Sequence, residues 1–111
     1  MDKDKIRVKL MELGFSPAVK GFESIVKAVC ILDEDPSAAH NVVYGIYYPI
    51  AKETNTNIAG AERRIRTAIT SAVNYNAEAI QDFIKLPANP SSGSYKNADF
   101  LAALHMALHR G

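Results

Sequence analysis

Several features that would mark a secreted, membrane or catalytic protein are missing from this sequence. A single cysteine, Cys30, is present, so no intramolecular disulfide can form and no extracellular disulfide framework exists. No apolar run approaches the roughly 20 residues a membrane-spanning helix needs. The first ten residues, MDKDKIRVKL, are charged from the second position and contain no apolar signal core. The expectation is a cytoplasmic protein without a membrane partner. Also absent are a glycine-rich phosphate loop, a Gly-x-Ser-x-Gly elbow and carboxylates paired around a cleft signal. No enzyme and no cofactor are expected. The net charge is only +1, so bulk charge draws no polyanion to the chain, and the long polar tracts that mark disorder do not occur.

What remains is a chain of 111 residues, 48% of them apolar, the size of one domain over residues 1–111 with one core. Ile6, Leu10 and Leu13 share a face, predicting a first helix over Lys3 to Leu13 that Gly14 stops. Ser16 before Pro17 predicts the start of a second, burying Val19, Phe22, Val26, Val29 and Cys30 and ending near Asp33. Asp35-Pro36 repeats that signal, predicting a third helix with Ala39, Val42, Val43, Ile46 and Tyr47 inward that closes near Tyr48-Pro49. Asn74-Tyr75-Asn76 breaks a later pattern, which Ile80, Phe83 and Ile84 resume. Pro87 to Ser94 is the one stretch rich in turn formers and reads as an exposed loop. A last helix opens at Asn97 or Asp99 and carries Phe100, Leu101, Leu104 and Leu108. No alternating strand pattern is found, so the fold is expected to be all-α, a compact bundle of about six helices.

The organising stretch is Ile50 to Val73, IAKETNTNIAGAERRIRTAITSAV. A short apolar segment enters the polar break Thr54-Asn55-Thr56-Asn57, and a longer periodic segment follows, the pattern of a helix-turn-helix. Ile58, Ala61, Ile65, Ala68, Ile69, Ala72 and Val73 recur at three- and four-residue steps, forming one stripe of a helix turning about 100° per residue. Arg63 falls near the opposite pole, flanked by Ala59, Gly60, Arg66, Thr67 and Thr70. Lys52, Arg63, Arg64 and Arg66 face only Glu53 and Glu62 within this stretch, a local basic face on a neutral protein. Such a surface suits the major groove of DNA.

Within that surface, Arg63 is the candidate for a bidentate contact to guanine. Arg64 and Arg66 lie to either side, where phosphates line the groove. Asn57, Thr56, Thr67 and Thr70 offer further hydrogen bonds. Glu62, beside the apolar stripe, is expected to orient an arginine, and Gly60 to let phosphate or base edges approach the backbone. The plainer alternative is a solvated face with Glu62 and Arg66 as an ordinary i, i+4 pair. His105 and His109 are four apart on the last helix, but no third ligand stands near them in sequence, so they read as a surface pair and no metal is expected. Cys30 reads as a core filler. Tyr44, Tyr47, Tyr48 and Tyr75 with Phe22 read as a core and its rim.

The run IAKETNTNIAGAERRIRTAI resembles the helix-turn-helix of the C-terminal effector domain of the stage zero sporulation protein A family of response regulators. LMELGFSPAVKGF resembles that family's first helix and following turn, ending in the triplet Lys20-Gly21-Phe22, and NADFLAALHMAL resembles its last helix. The most specific part is Glu62-Arg63-x-Ile65-Arg66-x-Ala68-Ile69. The resemblance implies a six-helix domain whose recognition helix, about 57–73, reads a TGTCGAA-type box in double-stranded DNA, commonly as two domains on neighbouring boxes. RNA polymerase is the further partner it suggests. By position, Glu62, Arg63 and Arg66 match the family's recognition helix, and Asn55 and Thr56 match its turn. Gly60 stands where the family typically has arginine, and Thr67 where it often has histidine, which bears on base preference and affinity.

The family's phosphorylatable receiver domain is not in the sequence. A chain whole as given cannot be switched by aspartate phosphorylation; an excised half lacks only the regulator's first part. The competing expectation is a receiver-free helical module whose same face binds a protein and modulates a full-length regulator, and a third is a general nucleic-acid binder. Salt dependence and sequence preference separate the three.

Overall fold

A computed structural model describes residues 1–110. The described residues form five α-helices and no strand: α1 (Lys3–Glu12), α2 (Lys20–Glu34), α3 (Tyr48–Glu53), α4 (Ile58–Ile84) and α5 (Asn97–Arg110). The all-helical expectation holds. The count is slightly below six because the segments on either side of Asn76 form one long helix, kinked where Asn76 leaves helical geometry (φ −148°, ψ 49°).

Local chemistry sets most of the boundaries. Asp2 caps α1 by accepting from the Asp4 N–H at 2.9 Å. At its other end Gly14 takes φ +95°, and the Phe15 and Gly14 N–H groups donate to the Leu10 and Met11 carbonyls. This pair of bonds is a Schellman ending, which needs the left-handed conformation glycine adopts without strain. After Ile84, Lys85 takes the same left-handed role (φ 59°) and the Pro87–Ser94 loop follows.

Two predicted boundaries move. The second helix starts at Lys20, not at Pro17. Ser16 closes a separate turn, its hydroxyl accepting from Ala18 N–H and its carbonyl from Val19 N–H. Val19 is then extended (φ −84°, ψ 135°), which breaks the helical path. The predicted third helix is in fact a 3-10 turn, Pro36–His40, capped by Asp35, a break at Asn41, and a π-turn, Val43–Tyr47, running straight into α3. Pro49 explains the wide turn. It has no N–H to return to the preceding turn, and the Tyr48 N–H one residue earlier bonds Val43 five residues back. The helix therefore passes through Tyr48-Pro49, where it was expected to close. Val43, expected inward, is exposed, and Ala38 is buried instead.

Helix α2 lies at the centre, against both α4 and α5. Its Phe22, Ile25, Val26, Ala28, Val29 and Leu32 meet Ile65, Ile69, Ile80, Phe100, Leu101 and Leu104, together with Ile6 and Leu10 of α1, in one continuous core. Burying each such large side chain contributes about 1.5–3 kcal/mol, against about 0–1 kcal/mol for an exposed ion pair. The apolar stripes therefore dominate the fold. Ion pairs such as Arg7–Glu23 (2.9 Å) and Lys27–Glu53 join α1 and α3 to α2 at its surface. Of the predicted aromatic set, Phe22 and Tyr47 are core residues, whereas Tyr44, Tyr48 and Tyr75 are exposed. Cys30 is partly buried against the core.

Candidate nucleic-acid interface

The polar break Thr54–Asn57 is a tight turn between α3 and α4. The Thr54 hydroxyl donates to the Ile50 carbonyl (2.7 Å), the Thr56 N–H donates to the Ala51 carbonyl (2.9 Å), and Asn55 is left-handed (φ 56°). The Thr56-to-Ala51 bond is the longer of the two bonds of a Schellman ending, closed here around asparagine where glycine is commonest. Asn57 then caps α4: its side-chain oxygen accepts from the Gly60 N–H at 2.7 Å. Asn55 and Asn57, both expected at the interface, form the turn and the cap that join the two helices.

Beyond the turn, the predicted stripe is the buried one. Ala61, Ile65, Ala68, Ile69, Ala72 and Val73 are all buried, with Ile58 partly so. Ala59, Arg63, Arg66, Thr67 and Thr70 are exposed on the other side. Arg63 and Arg64 have no carboxylate within ion-pair distance among the described residues, whereas the Arg66 guanidinium is gripped by both Glu62 oxygens (2.5 and 2.8 Å). The arginine that Glu62 touches is Arg66, in the i, i+4 pair of the plainer reading. The Glu62 carbonyl in turn accepts from the Asn97 side chain (3.0 Å), which ties the start of α5 to this turn of α4. Burial pushes the nearby Tyr47 hydroxyl above its ordinary pKa.

Gly60 requires a correction. It was expected on the outward face, open to phosphate, but it is buried. A β-carbon there would collide with the Thr56 hydroxyl and come within 3.1 Å of the Asn57 side-chain oxygen. Gly60 makes room for the turn and its cap. Arg64 is half-buried, at the edge of the face.

One residue that matters for this arrangement lies outside the stretch. Gly21 of α2 meets the Arg64 carbonyl so closely that no side chain fits between them. Only its place in the Lys20-Gly21-Phe22 triplet signalled it from sequence, since a lone glycine in a helical pattern carries no partner information. Beside the N-terminus of α4, Tyr48, Ala51, Lys52, Thr56, Ile58 and Ala59 line an open hollow of about 540 Å³.

A short capped helix, a four-residue turn and a long helix with its apolar side buried and a basic, hydroxyl-bearing side free define an all-helical helix-turn-helix domain. The chain belongs to the family described as Sporulation initiation factor Spo0A C terminal, whose model matches residues 6–108. It is accordingly a DNA-binding effector domain of the response-regulator kind, acting in transcription at the initiation of sporulation. The family is regulatory, not enzymatic. No curated protein matches the chain. Among the described residues no helix is long and apolar enough to cross a membrane.

Proposed function

We propose that residues 1–111 act as one DNA-binding domain and that the first half of α4 is its recognition helix, entering the major groove with Arg63 toward a guanine. The observation that carries this reading is the state of Arg63: it is exposed, opposite the buried stripe, and without a carboxylate partner among the described residues. Arginine's fork matches guanine O6 and N7, and an unpaired guanidinium gives up no ion pair in reaching them. Arg66, steered by Glu62, and Arg64 at the rim suit phosphates on the groove walls, with Thr67 and Thr70 offering hydroxyls along the same face. The positive end of the α4 dipole, beside Asn57 and Ala59, suits a further phosphate. On this reading the site bound is a TGTCGAA-type box, occupied by two domains on neighbouring boxes, with RNA polymerase as the next partner.

The test is a titration of labelled duplexes, one carrying the box and one scrambled, at two salt concentrations, with Arg63→Ala alongside. Box-selective binding that weakens steeply with salt and loses its selectivity in the variant supports the reading. Equal, weak binding to both duplexes, unchanged by the substitution, rejects it and directs attention to a protein partner on the same face.

A further inference from the structure

The histidines of the last helix acquire in three dimensions the ligand they lack in sequence. Asp33, at the end of α2 and 72 residues away from His105, places Oδ1 at 3.1 Å from His105 Nε2 and 2.8 Å from His109 Nε2, and the two Nε2 atoms are 3.1 Å apart. Both rings direct the same nitrogen to one point, nearly perpendicular to each other (82°). Three acceptor-capable atoms thus form an almost equilateral triangle.

Hydrogen bonding alone satisfies such a triangle poorly. The carboxylate oxygen can only accept. If both Nε2 atoms carry hydrogens, each can donate to its own lone pair on the oxygen, but the two N–H groups then crowd each other across 3.1 Å; if one does not, the single hydrogen on the other is divided between that lone pair and the oxygen. A cation above the triangle meets all three lone pairs together. Zn²⁺ binds imidazole nitrogen and carboxylate oxygen at about 2.0–2.2 Å, so adjacent ligand atoms in its tetrahedral shell lie roughly 3.3 Å apart. The observed edges need to widen by only a few tenths of an ångström.

We propose that Asp33, His105 and His109 form a binding site for a divalent transition-metal ion of the zinc type, with two imidazoles and one carboxylate as ligands and a fourth position open to water. His105 is mostly buried, whereas His109 is well exposed, so an ion has a route in and the fourth position faces solvent. Oδ1 is the Asp33 oxygen that faces both imidazoles and is therefore the ligand atom. Ligand set and geometry favour Zn²⁺ over Mg²⁺ or Ca²⁺, which take oxygen shells of six or more. A bound ion would clamp the end of α2 to the last turns of α5 and stabilise the folded state by mass action.

The test uses tag-free, chelator-stripped protein titrated with Zn²⁺ by calorimetry and with Co²⁺ by visible absorption, alongside His109→Ala, Asp33→Asn and His40→Ala. His109 is exposed, so its variant folds, and circular dichroism checks all three. The expected result is one ion per chain, the intense visible bands of four-coordinate Co²⁺, a Tm several degrees higher with Zn²⁺, and affinity lowered at least about tenfold by either ligand substitution but not by His40→Ala. Absence of saturable binding overturns the proposal. Binding that Asp33→Asn leaves intact also overturns it, because the two histidines would then act as a plain i, i+4 pair.

Discussion

Gly21 of α2 sits directly on the backbone of α4, facing the Arg64 carbonyl with the Ala68 methyl beside it. A β-carbon on Gly21 would lie 2.8 Å from that methyl and closer still to the carbonyl oxygen. Neither obstacle is a flexible side chain, so Gly21→Ala has to push two central helices apart. Overpacking of this kind costs about 1–3 kcal/mol or more, outweighing the roughly 1 kcal/mol that alanine gains over glycine in a helix. Urea denaturation is expected to show a lower midpoint, and DNA binding should weaken as well, because the carbonyl being displaced belongs to the helix that carries Arg63.

The cap at Asn57 allows stability and DNA binding to be separated. Asn57→Ala removes the acceptor for the Gly60 N–H and is expected to cost about 0.5–2 kcal/mol. Asn57→Asp keeps an acceptor and adds a negative charge at the positive end of the helix dipole, so its stability should equal or exceed that of the parent. If a phosphate approaches there, the same charge repels it. Thermal melts and duplex titrations should therefore rank the aspartate variant best in stability and poorly in binding; full binding by a stable Asn57→Asp would remove α4's N-terminus from the interface.

Gly60 and Thr56 form a coupled pair. The β-carbon that Gly60→Ala adds collides with the Thr56 hydroxyl, which must rotate away. Alone, the substitution is expected to be neutral or destabilising, since the clash opposes the helix-propensity gain. In a Thr56→Ala background the collision is gone and only the 3.1 Å approach to the Asn57 oxygen remains, so the same change should cost less or stabilise, by at most about 1 kcal/mol. A double-mutant cycle measured by denaturation should give a coupling of about 0.5–3 kcal/mol; additivity would mean that the turn relaxes freely.

The residues that announced themselves in sequence did so through periodicity or capping chemistry. Ile65, Ala68, Ile69, Ala72 and Val73 repeat at helical spacing, and burial of that stripe leaves Arg63 and Thr67 on the outside. Asn74–Asn76 signalled a break, because asparagine competes for backbone hydrogen bonds, and the structure has a kink at Asn76 within one helix. What periodicity cannot convey is close approach between distant segments. Helical spacing puts Gly60 on the outward face beside Arg63, and only the position of the Thr56 side chain shows that it is enclosed. The π-turn before Pro49 depends on where one missing N–H falls, which shifts the inward face and leaves Val43 outside. Asp33 meets His105 and His109 only because α2 and α5 pack side by side, information that no local pattern holds.

Acid should weaken the contacts that bind the outer helices to α2. Arg7, hydrogen-bonded to Glu23, holds that carboxyl below its ordinary value of 4.5, and Lys27 does the same for Glu53. A carboxyl whose folded pKa is depressed binds fewer protons folded than unfolded, so its contribution is present above the unfolded value and lost as pH falls through the folded one. Stability is therefore expected to decline below about pH 4.5, and Glu23→Gln with Glu53→Gln should flatten the decline. Both carboxylates are exposed, so the change should be modest at neutral pH.

The arginines make distinguishable contributions if α4 reads DNA. Arg63→Ala is expected to cost about 1–3 kcal/mol on the preferred box and to relax the preference at one base position. Arg64→Ala should weaken binding to all sequences alike and reduce the salt slope by about 1. Arg66 is subtler, because Glu62 holds it by both oxygens while adding a negative charge beside the groove. The exposed pair is worth only about 0.3–0.5 kcal/mol to the fold, so Glu62→Gln should barely change the Tm. On DNA two effects oppose each other: losing the carboxylate removes a repulsion from the phosphates, and it also releases the arginine from its fixed geometry. The first acts on any sequence and the second only where position matters. Glu62→Gln is thus expected to bind a scrambled duplex more tightly than the parent while discriminating less between box and scramble. If discrimination is unchanged, Glu62 does not position Arg66 for DNA, and their bridge belongs to the fold alone.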